Sequence, residues 1–189
     1  MKGDRMNTIL KNDISVRNFA FEDIAPTVSY MTENSSEYWL ERGVDLAKMK
    51  PKKEFLEHYR AKLESLGDIP SNCTIAYKGQ AIGLHSLSHV AQYDHAIMHA
   101  HIWSAELRNK GVGYYSYPLA MDFFMKKFNF KKIVFKTPKI NIAANKIKEK
   151  LQIPCLGDTV FEAEVLIKPL EANLYEVDRT LLDQLLTRI

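Results

Sequence analysis

Leu107-Arg-Asn-Lys-Gly111-Val-Gly113-Tyr114 is the stretch on which the rest of the chain is read. A strand-like run leads into it (Ile97, Met98, His99, Ala100, His101, Ile102, Trp103), and an apolar, aromatic, helix-like stretch leads out from Tyr114 to Phe128. A glycine-bearing turn between a strand and a helix gathers backbone N–H groups at the helix start. Those donors, with the helix dipole, suit phosphate oxygens. Gly111 and Gly113 let oxygens approach the main chain because no Cβ intrudes. Arg108 and Lys110 add positive charge beside the same donors.

Two other phosphate loops are set aside. The Walker order of glycine, four residues, then Gly-Lys-Ser/Thr is missing. The dinucleotide fingerprint needs a third glycine where Ser116 stands, and an acidic residue about 20 positions on, where Lys131 and Lys132 stand. What remains, Arg108-Asn109-Lys110-Gly111-Val112-Gly113, resembles the Arg/Gln-x-x-Gly-x-Gly/Ala loop of the GCN5-related N-acetyltransferase (GNAT) family. That loop cradles the pyrophosphate of acetyl-coenzyme A. The plain alternative is an ordinary strand–helix turn containing glycines.

The chain has 189 residues, 46% hydrophobic and 26% charged, which excludes a disordered or fibrous protein and favours one domain, 1–189, with a substantial core. No apolar run reaches the roughly 18 residues of a membrane span. No apolar segment behind Met1 to Arg5 serves as a secretion signal. Cys73 and Cys155 stand without paired Cys/His spacing, so neither a disulfide framework nor a metal site is expected, and the expected setting is the cytoplasm. Net charge is only +3, but nine lysines against Glu149 alone crowd Lys126 to Lys150. A basic block beside a phosphate loop suits a polyanionic small ligand or nucleic acid; a solvated lysine face is the bland alternative.

In chain order, Ile14 to Phe19 alternates as a half-buried strand does. Helical spacing follows over Phe21 to Met31, then a second short helix that Ser36 would cap, carrying Tyr38, Trp39 and Leu40 and ended by Gly43, then a longer one from Pro51 with Phe55, Tyr59, Leu63 and Leu66, ended by Gly67. Cys73 to Lys78, Gly79-Gln80 and Ala81 to Val90 predict a hairpin, with Tyr93-Asp94 connecting to a strand over Ala96 to Trp103. Pro118 inside the following helix predicts a kink, or a helix that starts near Ser116. Strands are expected at Lys132 to Thr137, Phe161 to Lys168 and Leu174 to Val177. Helices are expected at Asn141 to Leu151, with Ala144, Ile147 and Leu151 inward and Lys146, Lys148 and Lys150 outward, and at Arg179 to Ile189.

This order predicts a mixed α/β protein with a mostly antiparallel sheet of about six to seven strands flanked by helices. It matches the GNAT order from about Ile14 to Lys168, leaving 169–189 as a C-terminal extension. A second segment, Asn141-Ile-Ala-Ala144 through Lys150-Leu-Gln152-Ile153, is similar to the family's Asn-x-x-Ala/Ser … Lys-x-Gly-Phe segment, with Gln152-Ile153 in place of Gly-Phe. Asn141 also suits a helix N-cap, and the two roles are compatible.

The resemblance implies an acetyl-CoA-dependent N-acetyltransferase, in which an acceptor amine attacks the thioester directly. It implies cofactor contacts from Arg108 through Tyr114 and from Asn141 and Ala144. It also implies a backbone N–H near Ile102, Trp103 and Ser104 that polarises the thioester carbonyl. A base must take the amine proton. His99, His101, Glu106 and His85 are the candidates, since His99 and His101 share one strand face and His85 sits on the neighbouring strand. His101 ranks first and Glu106 second; half-buried histidines bonded within a sheet are the bland reading. Many relatives protonate the leaving thiolate with a tyrosine at the position that is Lys148 here, so that role does not carry over. A thiol with a reference pKa near 8.5 is a tolerable leaving group without one.

Two other readings remain: a catalytically silent CoA-binding interaction or sensor module, and a nucleic-acid binder. No nucleic-acid motif stands in the chain. The expected partners are therefore a small-molecule or peptide amine, with no nucleic acid and no membrane, and a homodimer stays open.

Overall fold

In a computed structural model, which describes residues 9, 11–91 and 94–189, all seven strands join one sheet. They are β1 (Ile14–Asn18), β2 (Asn72–Tyr77), β3 (Gln80–Ala91), β4 (His95–Ile102), β5 (Lys132–Pro138), β6 (Cys155–Phe161) and β7 (Leu170–Asp178), in spatial order β1-β2-β3-β4-β5-β7-β6. Six helices accompany them: α1 (Ile24–Glu33), α2 (Ser36–Leu40), α3 (Lys52–Leu66), α4 (Val112–Phe128), α5 (Ile142–Lys150) and α6 (Arg179–Arg188). Every strand pair is antiparallel except β4 with β5. The predicted mixed, mostly antiparallel α/β architecture is therefore the observed one.

Local chemistry explains most element ends. Ser35, not the expected Ser36, caps α2 by accepting from the Tyr38 amide, and Pro51 opens α3, which Gly67 ends in a left-handed conformation at φ +73°. Asn141 caps α5, its side chain accepting from the Ala144 amide at 3.2 Å. The predicted connection at Tyr93-Asp94 lies partly outside the described residues.

Each sheet face carries its own core. On one face α4 and α6 bring Tyr117, Met121, Phe124, Leu182 and Leu185 onto Met98, Ile133 and Phe135. On the other, α1 and α3 bring Ile24, Val28 and Leu63 onto Phe19 and Leu84. Burying each such side chain contributes roughly 1.5–3 kcal/mol. The fully buried Asp23 joins the second layer to the sheet edge. It receives both Arg17 guanidinium nitrogens at 2.6 and 2.8 Å, the Thr74 hydroxyl at 2.7 Å and the Ala20 amide at 2.9 Å.

Three expectations are corrected. First, α4 does not wait for Ser116: it begins at Val112 and carries Pro118 as a helical, buried residue. The proline removes one intrahelical bond near the helix start, and packing of the aromatic stripe on the sheet outweighs that loss. Second, the sixth strand is Cys155–Phe161, not Phe161 to Lys168. The segment 162–169 instead leaves the sheet and turns across to the α2 end, where Val44 bridges Leu166 and the Asp45 amide donates to Val165 O at 2.8 Å. The last strand is correspondingly longer than Leu174 to Val177. Third, Lys148 points inward, with 1% of its surface exposed.

Asp23→Ala tests the second-layer tie. Removing one partner of a buried, hydrogen-bonded ion pair costs about 3–5 kcal/mol. Urea unfolding is expected to show a loss of that size, with α1 and β1 the first to lose protection in hydrogen exchange.

Candidate active site

β5 makes two unequal commitments. It pairs with β7 along its whole length, from Lys132 opposite Asp178 to Pro138 opposite Ala172. It pairs with β4 over only three positions, ending at Ile97 opposite Val134. Past that point β4 follows β3 to Ile102, and β5 follows β7. A wedge therefore opens between the two strands, with unpaired backbone edges facing each other across it. Trp103 N donates to Ile82 O at 2.7 Å, so residue 103 turns its amide toward β3. By alternation Ile102 and Ala100 turn theirs toward the wedge. The Ile102 carbonyl points the same way and accepts from Arg108 Nε at 3.0 Å.

The loop leaving β4 stands at the wide end of this wedge. Ala105 to Leu107 form a short 3-10 turn, Asn109 adopts φ +62°, and Gly111 is the N-cap of α4 at φ +95°. Asn109, Lys110 and Gly111 are exposed. No side chain caps α4, and nothing lies within 4 Å of where a Gly111 Cβ would stand. The first turn of this 17-residue helix thus has neither a side-chain cap nor an acidic residue to offset its dipole, and the exposed residues 109–111 stand directly ahead of it. Gly113 has a different reason to be glycine: a Cβ there would meet Ile147 Cδ1 at 2.5 Å, so it lets α4 lie close against α5. Tyr114 donates its amide to Gly111 O at 3.0 Å.

Arg108 turns back from the loop. Besides Ile102 O it reaches Trp103 O through Nη2 at 3.2 Å, and its guanidinium lies 5.1 Å from the Tyr38 ring centroid and 5.8 Å from that of Tyr30. It therefore fixes the end of β4 against α1 and α2, and Lys110 is the loop's exposed cation. Across the wedge, Asn141 and Ala144 stand at the start of α5, held by a network that sequence reading missed. The buried Asn145 donates to the carbonyls of Pro138 and Asn141 at 3.0 Å each, and its own oxygen accepts from Tyr175 at 2.9 Å and Asn173 at 3.0 Å.

A cleft of about 650 Å³ adjoins the β4 end, walled by Tyr30, Glu33, Tyr77, Trp103 and Glu106. The buried Trp103 indole N–H reaches no acceptor among the described residues. His101 and His99 share the face toward α1. His101 Nδ1 lies 3.4 Å from the Tyr30 hydroxyl, and His99 Nε2 lies 2.7 Å from the Ser88 hydroxyl. Burial pushes both imidazoles down to about 4, so both are neutral at pH 7. His85 does not share their face. It pairs with Ala100 in the ladder and points to the α4 side, where its Nε2 meets the Ser116 hydroxyl at 3.1 Å. Cross-strand partners share a face, which excludes His85 from the His99–His101 side.

On that α4 side lies a second group the sequence did not announce. Lys148 Nζ sits 3.2 Å from the Tyr117 hydroxyl, 4.3 Å from the Tyr117 ring centroid and 4.6 Å from that of Phe135. No carboxylate pairs with it among the described residues, and burial pushes its pKa down to about 7. Phe135 is the first β5 residue past the last β4 pair, so the ammonium lies at the apex of the wedge.

No family model and no curated relative matches the chain. Solved structures do. A ribosomal alpha-N-protein acetyltransferase, RimL, in complex with coenzyme A is 16% identical, with a TM-score of 0.67 over 88% of this chain and 94% of that one. The spermidine N-acetyltransferase of Vibrio cholerae, in complex with CoA and spermine, is 14% identical, with a TM-score of 0.63 over 90% and 98%. A GNAT-family acetyltransferase from Bacillus anthracis is 11% identical, with a TM-score of 0.65 over 88% and 95%.

The buried lysine yields a stability prediction. Its folded pKa lies below its unfolded value of about 10.4, so the unfolded chain binds more protons between those two values, and stability rises as pH climbs from about 7 to 10. Lys148→Met removes this penalty. Thermal melts are expected to show a higher Tm for the variant at pH 7, with the gap closing by pH 10.

Wedge, glycine-led helix start and capped α5 fall in one order and at one end of the sheet, and together with these likenesses they establish that the chain has the acetyltransferase fold of the GNAT family.

Proposed function

We propose that this protein is an acyltransferase that moves an acetyl group from acetyl-coenzyme A to an amine, by direct attack of the amine on the thioester. The observation that carries the reading is the wedge between β4 and β5 ending on an uncapped, exposed helix start. An extended arm with a diphosphate at one end and a thioester at the other fits that combination.

The diphosphate would lie on the amides from Asn109 to Tyr114, with Lys110 beside them and Arg108 holding the loop from behind. Val112 and Gly113 supply first-turn donors, and the open side of Gly111 admits the oxygens. Asn141 and Ala144 would flank the pantetheine arm. The Ile102 amide, aimed into the wedge next to Trp103 and Ser104, would meet the thioester oxygen, where negative charge builds on attack. The acceptor would enter by the cleft lined by Tyr30, Trp103 and Glu106. His101 is kept unprotonated by burial and ranks first for receiving the amine proton. Its low pKa makes it a weak base, and the Glu106 carboxylate at the cleft wall ranks second. RimL and the spermidine enzyme, solved with coenzyme A, support an amine acceptor here without choosing among amines.

The reading treats residues 1–189 as one domain and places it in the cytoplasm, in keeping with two free cysteines. No helix among the described residues is long and apolar enough to cross a membrane. The lysines of Lys126–Lys150 are assigned no nucleic-acid role; several of them engage carboxylates, as Lys126 does with Asp122 and Lys132 with Glu176. A homodimer is compatible with this reading.

Acetyl-CoA at about 100 times its Kd should stabilise the fold by about 2.7 kcal/mol. For a chain of this size that is a Tm rise of roughly 5–10 °C. Gly111→Trp places a bulky, strained residue over the loop amides and is expected to abolish the rise while leaving the unliganded Tm within a few degrees. A wild-type Tm indifferent to acetyl-CoA contradicts the reading.

A further inference from the structure

The apex of the wedge holds a charge with no counter-charge. Lys148 is 1% exposed, yet among the described residues its Nζ meets the Tyr117 hydroxyl and two aromatic rings and no carboxylate. An isolated buried ammonium is expensive, and nothing in the packing of α5 requires one. A leucine or methionine would fill the same space between Tyr117 and Phe135. Buried ionisable groups without a structural partner concentrate at sites of chemistry.

The position says which chemistry. β4 and β5 part immediately above Phe135, so a thioester arm threaded through the wedge from the α4 start brings its sulfur toward this apex. Attack by the amine nitrogen forms the C–N bond and breaks the C–S bond, and the bonding electron pair leaves on sulfur. That sulfur needs a proton, and the nitrogen must lose one. The α1 face of β4 offers His99 and His101, both neutral near pH 7 and poor proton donors.

We propose, resting on the acetyltransferase reading, that Lys148 donates the proton that turns the departing coenzyme A thiolate into a thiol, with the Tyr117 hydroxyl holding its ammonium in line. Lys148 is left neutral and recovers a proton from solvent when the product leaves. The proton lost by the acceptor nitrogen balances the one gained by sulfur. The groups facing Lys148 are Tyr117 from α4, Phe135 from β5 and His85 from β3; His99 lies across the sheet on β4 and feels the ammonium only as a charge. Burial raises the Tyr117 hydroxyl pKa and lowers those of both histidines, so all three stay neutral near pH 7 and Lys148 is the group in this set that changes charge there.

The test measures single-turnover thiol release from bound acetyl-CoA as a function of pH, using whichever of spermidine, an aminoglycoside or a short peptide N-terminus is turned over fastest. Acetyl-CoA affinity is read separately by calorimetry. Lys148→Met is expected to bind acetyl-CoA within threefold of wild type, to release thiol about 100-fold more slowly, and to lose the fall in rate on the basic side. Tyr117→Phe keeps the ring but removes the acceptor for the ammonium; its basic limb is expected to move to lower pH with binding unchanged. A Lys148→Met rate within threefold of wild type, or an unaltered basic limb, overturns the proposal. Wild-type protein that binds acetyl-CoA but acetylates none of the amines overturns the role of Lys148 and leaves the cofactor site standing. Absence of binding overturns both.

Discussion

Three residues of parallel pairing decide the shape of this molecule. β5 is zipped to β7 over its full length but to β4 only as far as Val134, and the remainder of each strand follows a different neighbour. Backbone edges in a sheet interior are normally paired. Here two are left facing across a gap, and the elements around that gap are what keep it open. Arg108 takes the Ile102 carbonyl on one side, and Asn145 takes the Pro138 carbonyl on the other. Both are satisfied locally, which stops the strands from closing on each other further along.

That constraint also orders the helices. The loop after β4 must leave the sheet where the wedge is widest, so α4 starts there with its amides outward. Gly113 then lets α5 come close, which places Asn141 on the opposite lip. The lower end of the wedge is sealed by Tyr117 and Phe135, whose ring centroids are 5.6 Å apart, with Lys148 laid over both. Positive charge therefore sits at both ends of the channel: exposed on Lys110 at the mouth, buried on Lys148 at the floor. A ligand bearing phosphates at one end and a developing thiolate at the other matches that polarity.

Much of this was legible in the sequence, where local chemistry decides the outcome. Pro51 and Gly67 bound α3, the β2–β3 hairpin turns at Lys78-Gly79, one residue ahead of the expected Gly79-Gln80, and Asn141 caps α5 because its short side chain reaches an amide three residues on. What was not legible depends on tertiary packing. Lys146, Lys148 and Lys150 look alike in sequence, but the buried stripe of α5 runs through Asn145 and Lys148, and only the surroundings select it. Sequence left open whether His85, on the neighbouring strand, shares a face with His99 and His101; the ladder register puts it opposite Ala100 and so on the other face. The run after Phe161 has strand-like composition, yet contacts with Val44 and Asp45 hold it out of the sheet. Pro118 misled about where α4 starts, because its local penalty is outweighed by the aromatic face it helps to bury.

Backbone hydrogen exchange with and without acetyl-CoA reports most directly on whether the wedge and the helix start form one binding channel. The account predicts added protection in two separated segments, Ala100–Trp103 on β4 and Asn109–Tyr114 at the start of α4, with little change in β1, β6 or α6. Protection confined to other surfaces, or gained at one of the two segments without the other, would contradict it.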